Sequence, residues 1–391
     1  MDTPKPCAGG SNEPGLGEKA QNTSPGVQVP RAVVGIESAL RAIRPEIRRL
    51  EGYKAPPQGQ LRAKLNQNEN PYDIPEEWKK NVFEDMRNLE WTRYPAYNPP
   101  PLREALAKRF GIATEQILVG GGSNQLLYMI GMAVIGPGDG VLVTPPSFGL
   151  FELIGRIFKG KIIASDLNPD FSVNDERMVR CARQSKLAFI CSPNNPTGNT
   201  MRLDLLESML NETTGLILWD EAYAEFCGKT ALPLLDRYPN LLVLRTFSKA
   251  FGLAGLRIGY LMGHASLIAE FSKVNIPYNV NLFSALVARR MLDENRWMEK
   301  RVEEIVRERD RLYRRLKTIP EIETFPSEAN FILIRFPDSG AMFEKLREKG
   351  VLLRAVDGHP LLKNCLRATV GTPEENRIFI EVLKETLKCG D

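Results

Sequence analysis

The stretch TFSKAFGLAGLR, residues 246–257, is the most informative segment of this 391-residue chain. It places Lys249 just beyond an apolar run that ends at Phe247, in a loop of small residues. A lysine in such a position is costly unless it is solvated or used chemically. Burial and neighbouring cations lower the pKa of an amine and make it a nucleophile toward aldehydes. Ser248 and Arg257 add a hydroxyl and a guanidinium, which suit a phosphate group.

Short, nearly continuous apolar runs alternate with helical patterns on both sides of this segment. Runs of this length between helices predict buried strands of a parallel or mixed sheet. The runs are 117–120, 141–144, 161–165, 187–192, 215–220, 241–247 and 256–262. The predicted fold class is therefore α/β, with a large domain built on a mostly parallel central sheet.

The pattern changes near residue 295, and the chain length also favours two domains. Beyond that point the elements indicate a smaller α+β domain: helix 295–319, strand 331–336, helix 340–349, strand 366–370 and helix 373–388. At the other end, residues 1–29 are rich in Pro, Gly, Ser and Asn, which predicts a disordered tail. A helical apolar pattern over 31–52 indicates a docking arm. We assign residues 30–74 to an N-terminal arm that joins the small domain, 75–285 to the large domain and 286–391 to the small C-terminal domain.

Composition argues against several classes of function. The net charge is +4 from 52 basic and 48 acidic residues without a basic block, so nucleic-acid or membrane-surface binding is unsupported. No apolar run approaches the ~18 residues that span a bilayer. The six cysteines are scattered without a CxxC pair, which favours reduced thiols in a cytoplasmic protein. His264 and His359 are the two histidines, so neither a His-ligated metal centre nor a Ser-His-Asp triad is expected.

Three further polar segments follow predicted strands, where ligands bind in open α/β sheets. Gly120–Asn124 offers glycines and a helix start that suit a phosphate, although a plain turn with a serine cap would look the same. It lacks the GK[ST] of a P-loop and the full dinucleotide spacing. Ser192–Gly198 taken alone has the composition of a Pro/Asn turn. Asp220 is either a helix cap or a buried carboxylate that holds a heterocyclic N–H⁺, with the Tyr223 phenol beside it.

In their order along the chain, these four segments resemble motifs of the fold-type I, class II aminotransferases, which use pyridoxal-5′-phosphate (PLP). The motifs are the phosphate-binding turn, Asn-Pro-Thr-Gly, Asp-x-x-Tyr and the lysine signature. Within that group the chain is most similar to the histidinol-phosphate aminotransferases. This likeness rests on LNQNENP (65–71), RYP (93–95) and NCLRATVG (364–371). The resemblance covers roughly residues 31–388 and implies a fold-type I PLP-dependent transferase.

The resemblance implies a role for each matching residue around the cofactor. Lys249 would hold PLP as a Schiff base and then act as general base and acid, while Asp220 would keep the pyridine nitrogen protonated. Asn195 and Tyr223 would hydrogen-bond the 3-oxygen of the ring. Phe148 would stack on the ring at a position that is often tyrosine, without that hydroxyl. The cofactor phosphate would be held by the backbone of Ser123 and Asn124 and by the side chains of Ser248 and Arg257.

The same resemblance implies how substrate and a second subunit contribute. Tyr94 matches a tyrosine that reaches the cofactor phosphate of the neighbouring subunit, which implies a homodimer with shared active sites. Gln67 stands where a small residue or a different polar one is expected, so the specificity of the arm stays open. The substrate-binding residues implied are Arg367, with Arg354 as its partner, together with Tyr53, Asn68 and Asn195.

The reaction implied is amino-group transfer between L-histidinol phosphate and 2-oxoglutarate, in histidine biosynthesis. Two alternatives keep the cofactor and change the chemistry or substrate: an aromatic or broad-range amino-acid aminotransferase, and a PLP-dependent decarboxylase of phospho-amino acids. A third alternative is a regulatory domain that binds PLP without turnover. That alternative needs a DNA-binding module, and the residues before the arm are too few and too rich in Gly and Pro for one.

Overall fold

The computed structural model describes residues 36–52, 61–294 and 296–388, so the predicted tail, 1–29, lies outside the described residues. The chain divides into two compact units, Met1–Arg49 and Leu50–Asp391. In the first unit, the described residues of the predicted helical pattern form two short helices, α1 (Ile36–Arg41) and α2 (Pro45–Arg48). The break between them has a local cause, because a proline disfavours helical backbone at the residue before it, and Arg44 has ψ 136°.

The described part of the second unit has thirteen strands: nine match predicted strands, and four others, of two residues each, are too short to leave a sequence pattern. They are β1 (Ala63–Lys64), β2 (Ile117–Gly120), β3 (Gly140–Val143), β4 (Lys161–Ala164), β5 (Leu187–Cys191), β6 (Leu216–Asp220), β7 (Leu241–Thr246), β8 (Gly259–Gly263), β9 (Glu323–Thr324), β10 (Phe331–Arg335), β11 (Val351–Leu352), β12 (Arg354–Ala355) and β13 (Cys365–Thr369). The predicted starts agree within one residue except at β8, which begins at Gly259 rather than 256. Arg257 has a left-handed φ of 53°, which interrupts the extended backbone ahead of that strand.

Helices of the second unit alternate with the strands of the large sheet and then dominate the C-terminal part. They are α3 (Glu76–Arg87), α4 (Pro100–Phe110), α5 (Ser123–Val134), α6 (Leu150–Ile157), α7 (Asp175–Arg183), α8 (Leu203–Glu212), α9 (Ala224–Cys227), α10 (Ala265–Ser272), α11 (Leu282–Asp293), α12 (Arg296–Leu316), α13 (Ser339–Glu348) and α14 (Pro373–Lys388). Within the described residues, no helix is long and apolar enough to cross a membrane.

The large sheet has the order β2-β8-β7-β6-β5-β3-β4. β8 is antiparallel to both of its neighbours, and the other pairs are parallel. Both faces of the sheet are covered, which explains the continuous apolar runs. In β5, for example, Ala188 and Ile190 pack into one core cluster, while Phe189 and Cys191 pack into the cluster on the opposite face. The α/β fold with a mostly parallel sheet is confirmed.

A second, antiparallel sheet of order β12-β13-β10-β9 lies in the C-terminal part of this unit. The chain segment that precedes the large sheet also packs with the C-terminal part, since β1 pairs in parallel with β11. Just beyond β1, the Leu65 carbonyl accepts a hydrogen bond from the Thr369 N–H at 2.8 Å. These contacts bring residues 63–68 against β13. The domain boundaries at 74/75 and 285/286 stay a prediction.

Candidate active site

The carboxyl ends of β2, β5, β6 and β7 lie at one edge of the large sheet because these strands run in the same direction. Asp220 is the last residue of β6, and Lys249 follows the end of β7 by three residues. The Lys249 Nζ lies 5.9 Å from the centre of the Tyr223 ring. It donates a hydrogen bond to the Gln67 carbonyl at 2.8 Å. The fold therefore brings together the lysine, carboxyl and phenol that the sequence motifs predict.

Lys249 is held in a state that favours the neutral amine. Its pKa falls from 10.5 to about 7, first because of burial and second because of the Arg367 guanidinium. The Arg257 guanidinium acts in the same direction, whereas Glu69 and Asp220 oppose it. A neutral amine at physiological pH is the form that attacks a carbonyl carbon.

Asp220 shows the opposite shift for the same physical reason. The residue is 4% exposed, and burial raises the pKa of its carboxyl from 3.8 to about 7. The neighbouring Glu221 adds to the rise, while the Ala222 N–H, which donates to Oδ1 at 3.0 Å, and Lys249 counteract it. A cationic N–H placed against this carboxyl would favour its ionised form.

Tyr223 and Asn68 form a fixed polar pair in the same region. The Asn68 Nδ2 donates to the Tyr223 hydroxyl at 2.9 Å, and burial raises the pKa of Tyr223 above its ordinary value. Asn68 adopts a left-handed φ of 54° and is held on both sides. Its N–H donates to the Thr369 hydroxyl at 2.9 Å, and its carbonyl accepts from Asn330 at 3.1 Å. The Tyr223 phenol therefore stays protonated and well oriented.

Arg367 joins the two sheets at this site. It lies in β13 and is 8% exposed, with its guanidinium 5.3 Å from the centre of the Phe331 ring. Its Nη1 donates to Asn195 Oδ1 at 2.6 Å, and its Nη2 donates to the Asn66 carbonyl at 2.7 Å. Arg354 is the antiparallel partner of Arg367 on β12. Directly paired residues lie on one face of a sheet, so the register places both arginine side chains on the same face.

A second cationic position lies where β2 meets α5. The turn between them, Gly120–Ser123, is called the phosphate turn here. Gly122 has φ 88° and precedes the first helical residue, and being glycine it supplies no capping side chain. A Cβ on Gly122 would come within 2.9 Å of Arg257 Nη2, so the guanidinium lies against the turn. Arg257 Nη1 also donates to Ser248 Oγ at 3.3 Å. Helix N–H groups, a hydroxyl and a guanidinium are groups that can bind an anion.

The remaining predicted residues differ in how they relate to this centre. Phe148 packs edge-on against Phe151, with ring centres 5.5 Å apart. The preceding residue, Ser147, donates from Oγ to Asn194 Oδ1 at 2.6 Å, which connects this loop to the Ser192–Gly198 turn. Tyr94 is 83% exposed and contributes no contact to the Lys249 site among the described residues of its own chain. Tyr53 lies outside the described residues.

Sequence reasoning missed the backbone carbonyls of Asn66 and Gln67 and the Thr369 hydroxyl. The carbonyls bind Arg367 and Lys249 whatever their side chains are, so residue type gives no signal for them. Thr369 could have been found from the sequence, because it lies two residues from Arg367 in β13. Residues two apart in a strand lie on the same face of the sheet. The Lys64 ammonium, paired with Glu69, also donates to Gln67 Oε1 at 2.8 Å.

The mostly parallel α/β architecture defines a class of protein, since it is fold type I of the PLP-dependent transferases. The histidinol-phosphate aminotransferase from Sinorhizobium meliloti, solved with pyridoxal-5′-phosphate, shares this fold with TM-score 0.78 at 22% identity, covering 89% of this chain and 98% of that one. L-threonine-O-3-phosphate decarboxylase from Porphyromonas gingivalis shares it with TM-score 0.73 at 23% identity, covering 83% and 99%.

Sequence similarity identifies the family. The family model for aminotransferase class I and II matches residues 63–383. The histidinol-phosphate aminotransferase of Chlorobaculum tepidum is 38% identical over 346 residues, which are 88% of this chain and 99% of that protein. The chain belongs to the class I and II aminotransferases, and it is an aminotransferase.

The lowered pKa of Lys249 predicts its chemical reactivity. In ligand-free protein, acylation by acetic anhydride should rise with pH around a midpoint near 7, because only the neutral amine reacts. Lys79 is the control, since its hydrogen bond to Asp73 raises its pKa above 10.5. Arg367→Met should move the Lys249 midpoint upward, because it removes a cation that lowers that pKa. Peptide mass spectrometry across a pH series measures both sites, and equal pH profiles for Lys249 and Lys79 would contradict the prediction.

Proposed function

We propose that this chain is a PLP-dependent aminotransferase that transfers an amino group between L-histidinol phosphate and 2-oxoglutarate in histidine biosynthesis. The observation that carries the proposal is the placement of Lys249 and Asp220 at the ends of adjacent strands, in a chain that matches a histidinol-phosphate aminotransferase over 88% of its length. The scattered cysteines and the biosynthetic relatives support a cytoplasmic location.

The residues present fit PLP at each end of the cofactor. The phosphate turn with Ser123 and Asn124, and the side chains of Ser248 and Arg257, would hold its phosphate. Asp220, whose buried carboxyl has a raised pKa, would pair with a protonated ring nitrogen. The side chains proposed to orient the ring are Asn195 and Tyr223 by hydrogen bonds, and Phe148 by stacking. When bound, PLP supplies an electron sink for the electron pair released at the substrate Cα.

Proton transfer is assigned to the Lys249 Nζ. With a pKa of about 7, this nitrogen can accept a proton from the substrate Cα and return one during the same turnover. The buried Tyr223 phenol, whose pKa is raised, keeps its proton and serves as a hydrogen-bond donor. Both histidines lie elsewhere, His264 before α10 and His359 near β12, so this nitrogen is the base that the site offers.

Substrate anions are assigned to the paired arginines. Arg367 and Arg354 lie opposite each other in the antiparallel sheet, and a guanidinium binds phosphate or carboxylate with two parallel hydrogen bonds. The phosphate of histidinol phosphate and a carboxylate of 2-oxoglutarate could use this position in turn. Asn195 and Asn68, with Tyr53 from outside the described residues, are proposed to line the rest of the pocket.

Two assays test the assignments of the cofactor and of the substrate. Borohydride reduction of the purified protein with PLP should attach the cofactor to the peptide that contains Lys249, and Lys249→Ala should abolish this adduct. A donor panel with 2-oxoglutarate should then give the highest kcat/KM for L-histidinol phosphate, above phenylalanine, tyrosine and leucine. Labelling of a different lysine would overturn the cofactor assignment. A preference for phenylalanine, or release of CO₂ from a phospho-amino acid, would replace the substrate assignment.

The phosphate turn generates a matched pair of glycine variants. A Cβ at Gly259 would lie 2.4 Å from the Ser123 nitrogen, so Gly259→Ala should displace the N–H groups at the start of α5. We expect its PLP dissociation constant to rise at least about tenfold, the size expected when a charge-assisted contact is lost. Gly255→Ala is the control, because that Cβ meets nothing within 4 Å. Titration of the cofactor-free proteins with PLP measures both, and equal affinities would contradict the assigned phosphate site.

A homodimer with shared active sites is the second part of the proposal. Several large apolar side chains on the segments around residues 91–97 and 276–278 are exposed: Trp91 72%, Tyr94 83%, Ile276 58% and Tyr278 48%. Tyr94 stacks on Tyr278 with ring centres 4.8 Å apart, and the Tyr97 hydroxyl donates to the Ser272 carbonyl at 2.7 Å. A contiguous apolar patch held in an ordered arrangement is typical of an interface.

Mixing two inactive variants tests whether sites are shared. One subunit carries Lys249→Ala, and the other carries Arg93→Ala with Tyr94→Ala. If Tyr94 serves the partner's site, a mixed dimer contains one site with both lesions and one intact site. Random subunit exchange should then restore about a quarter of wild-type activity, because half of the dimers are mixed and half of their sites are intact. Lys249→Ala mixed with Asp220→Ala is the control that should recover nothing. Mixed dimers of the first pair that stay inactive would place the whole site within one chain.

A further inference from the structure

A buried cluster of charged side chains adjoins the ends of β6 and β7, next to the proposed site. Its members contact neither substrate nor cofactor in the function proposed above. It consists of Glu221, Glu225 and Arg245 and is called the Arg245 cluster here. The Glu221 side chain is fully buried, and those of Arg245 and Glu225 are 9% and 10% exposed. Charges this deep in a protein are costly to bury, and they persist where their geometry is well satisfied.

The hydrogen bonds of the Arg245 cluster are nearly complete. Arg245 donates to Glu221 Oε2 through Nε at 2.9 Å and through Nη2 at 2.7 Å. Its Nη1 donates to Glu225 Oε1 at 3.2 Å, and its guanidinium lies 5.1 Å from the centre of the Phe110 ring. Glu221 also accepts from the Thr230 hydroxyl at 2.9 Å and from the Ala231 N–H at 2.6 Å. The Glu221 carboxylate is therefore locked in one position.

The position of this cluster in the chain connects it to the reacting groups. Glu221 directly follows Asp220 and precedes Tyr223 by two residues, while Arg245 precedes Lys249 by four. The Glu221 N–H donates to the Leu244 carbonyl at 2.8 Å, so backbone and side chain both tie the end of β6 to the end of β7. A shift of either strand end would change the distance between the Lys249 nitrogen and the Asp220 carboxyl.

We propose that Arg245, acting through Glu221, is a positioning residue that fixes Asp220 and Lys249 relative to each other. The inference rests on the proposed cofactor site, since it assigns the cluster to the alignment of that site. Two Arg245 nitrogens donate to Glu221 Oε2 while the Ala231 N–H donates to Oε1, so both carboxylate oxygens are held, and a lysine ammonium could not reproduce the planar pair of donors. Reaction rates fall steeply when reacting groups move by about 1 Å, so loss of this contact should lower kcat.

Arg245 also has an electrostatic effect at the site. The Glu221 charge raises the pKa of its neighbour Asp220, and the Arg245 guanidinium offsets that charge. Without Arg245, the Asp220 carboxyl would hold its proton more tightly. A protonated carboxyl pairs poorly with a cationic ring nitrogen, so loss of Arg245 weakens cofactor binding in addition to alignment.

The test compares single and combined variants. Arg245→Met alone leaves Glu221 as an unpaired buried charge, whereas Arg245→Met with Glu221→Gln removes both charges. Arg245→Lys keeps the charge and removes the planar pair of donors to Glu221 Oε2. Arg290→Met is the matched control, because Arg290 pairs with Asp85 between α11 and α3, outside the proposed site. Readouts are the melting temperature of the cofactor-free protein, the PLP dissociation constant, and kcat and KM for the best donor of the panel above.

We expect the combined variant to regain most of the melting temperature that Arg245→Met loses, since no unpaired charge remains. Its kcat should still be at least about tenfold below wild type, with KM changed by less than about threefold. Arg245→Lys should show the same kinetic loss, and Arg290→Met should show none. A combined variant with wild-type kcat and PLP affinity would reduce the cluster to a purely structural role and overturn the proposal.

Two further outcomes keep the result interpretable. If the Arg245 variants fail to fold, Thr230→Val tests the positioning role of the Arg245 cluster. This substitution removes the hydroxyl that contacts both Glu221 and Arg245, and it leaves no unpaired buried charge. We expect its kcat to fall about threefold, and an unchanged kcat would count against the proposal. Failure of wild-type protein to bind PLP would instead refute the cofactor assignment, which separates the two conclusions.

Discussion

Desolvation of the half-buried Lys249 amine and the buried Asp220 carboxyl, at the ends of adjacent parallel strands, is the constraint on which the rest of the site depends. Burial disfavours charge on both groups, so the lysine pKa falls to about 7 and the carboxyl pKa rises to about 7. With pKa values of about 7, each group has a substantial neutral fraction near pH 7, and each would be stabilised by a ligand of matching chemistry. An aldehyde suits the neutral amine, and a cationic ring N–H suits the carboxyl. A phosphate suits the third position, where Arg257 lies against Gly122. PLP carries all three groups in one molecule.

The segment that follows β1 completes this centre from the other side. Successive residues of that segment contact different parts of the site: the Asn66 carbonyl binds Arg367, the Gln67 carbonyl binds Lys249, and the Asn68 amide binds Tyr223. Carbonyl oxygens orient cations without adding a formal charge, so they hold Lys249 while leaving its pKa low. The left-handed backbone of Asn68 lets the chain turn at this point, a conformation that asparagine tolerates better than most residues.

The parts of the structure that the sequence predicts are those that depend on local pattern. Buried strands require continuous apolar runs, and polar residues just beyond them stand out, which is how Lys249 and Asp220 could be found. The single helical pattern predicted over 31–52 missed the break before Pro45, although proline restricts the residue that precedes it. Contacts between distant segments leave no such trace. Arg245 is visible as a charge in an apolar strand, yet its partner Glu221 lies 24 residues away and could not be assigned from the sequence. Contacts made by backbone carbonyls could not be predicted for a different reason: every residue has a carbonyl, so residue type does not indicate which one reaches the site.

The influence of Arg367 on Lys249 links substrate binding to proton affinity. The guanidinium is the largest electrostatic cause of the low Lys249 pKa. An anion bound by Arg367 and Arg354 would offset this positive charge, so the pKa of Lys249 would rise when the anion binds. The amine would then be a stronger proton acceptor once the substrate is in place than before it arrives. The coupling is reciprocal, because a protonated Lys249 also increases the affinity of the site for the anion. In the proposed function, Arg367 would thereby both bind the substrate anion and adjust the proton affinity of Lys249.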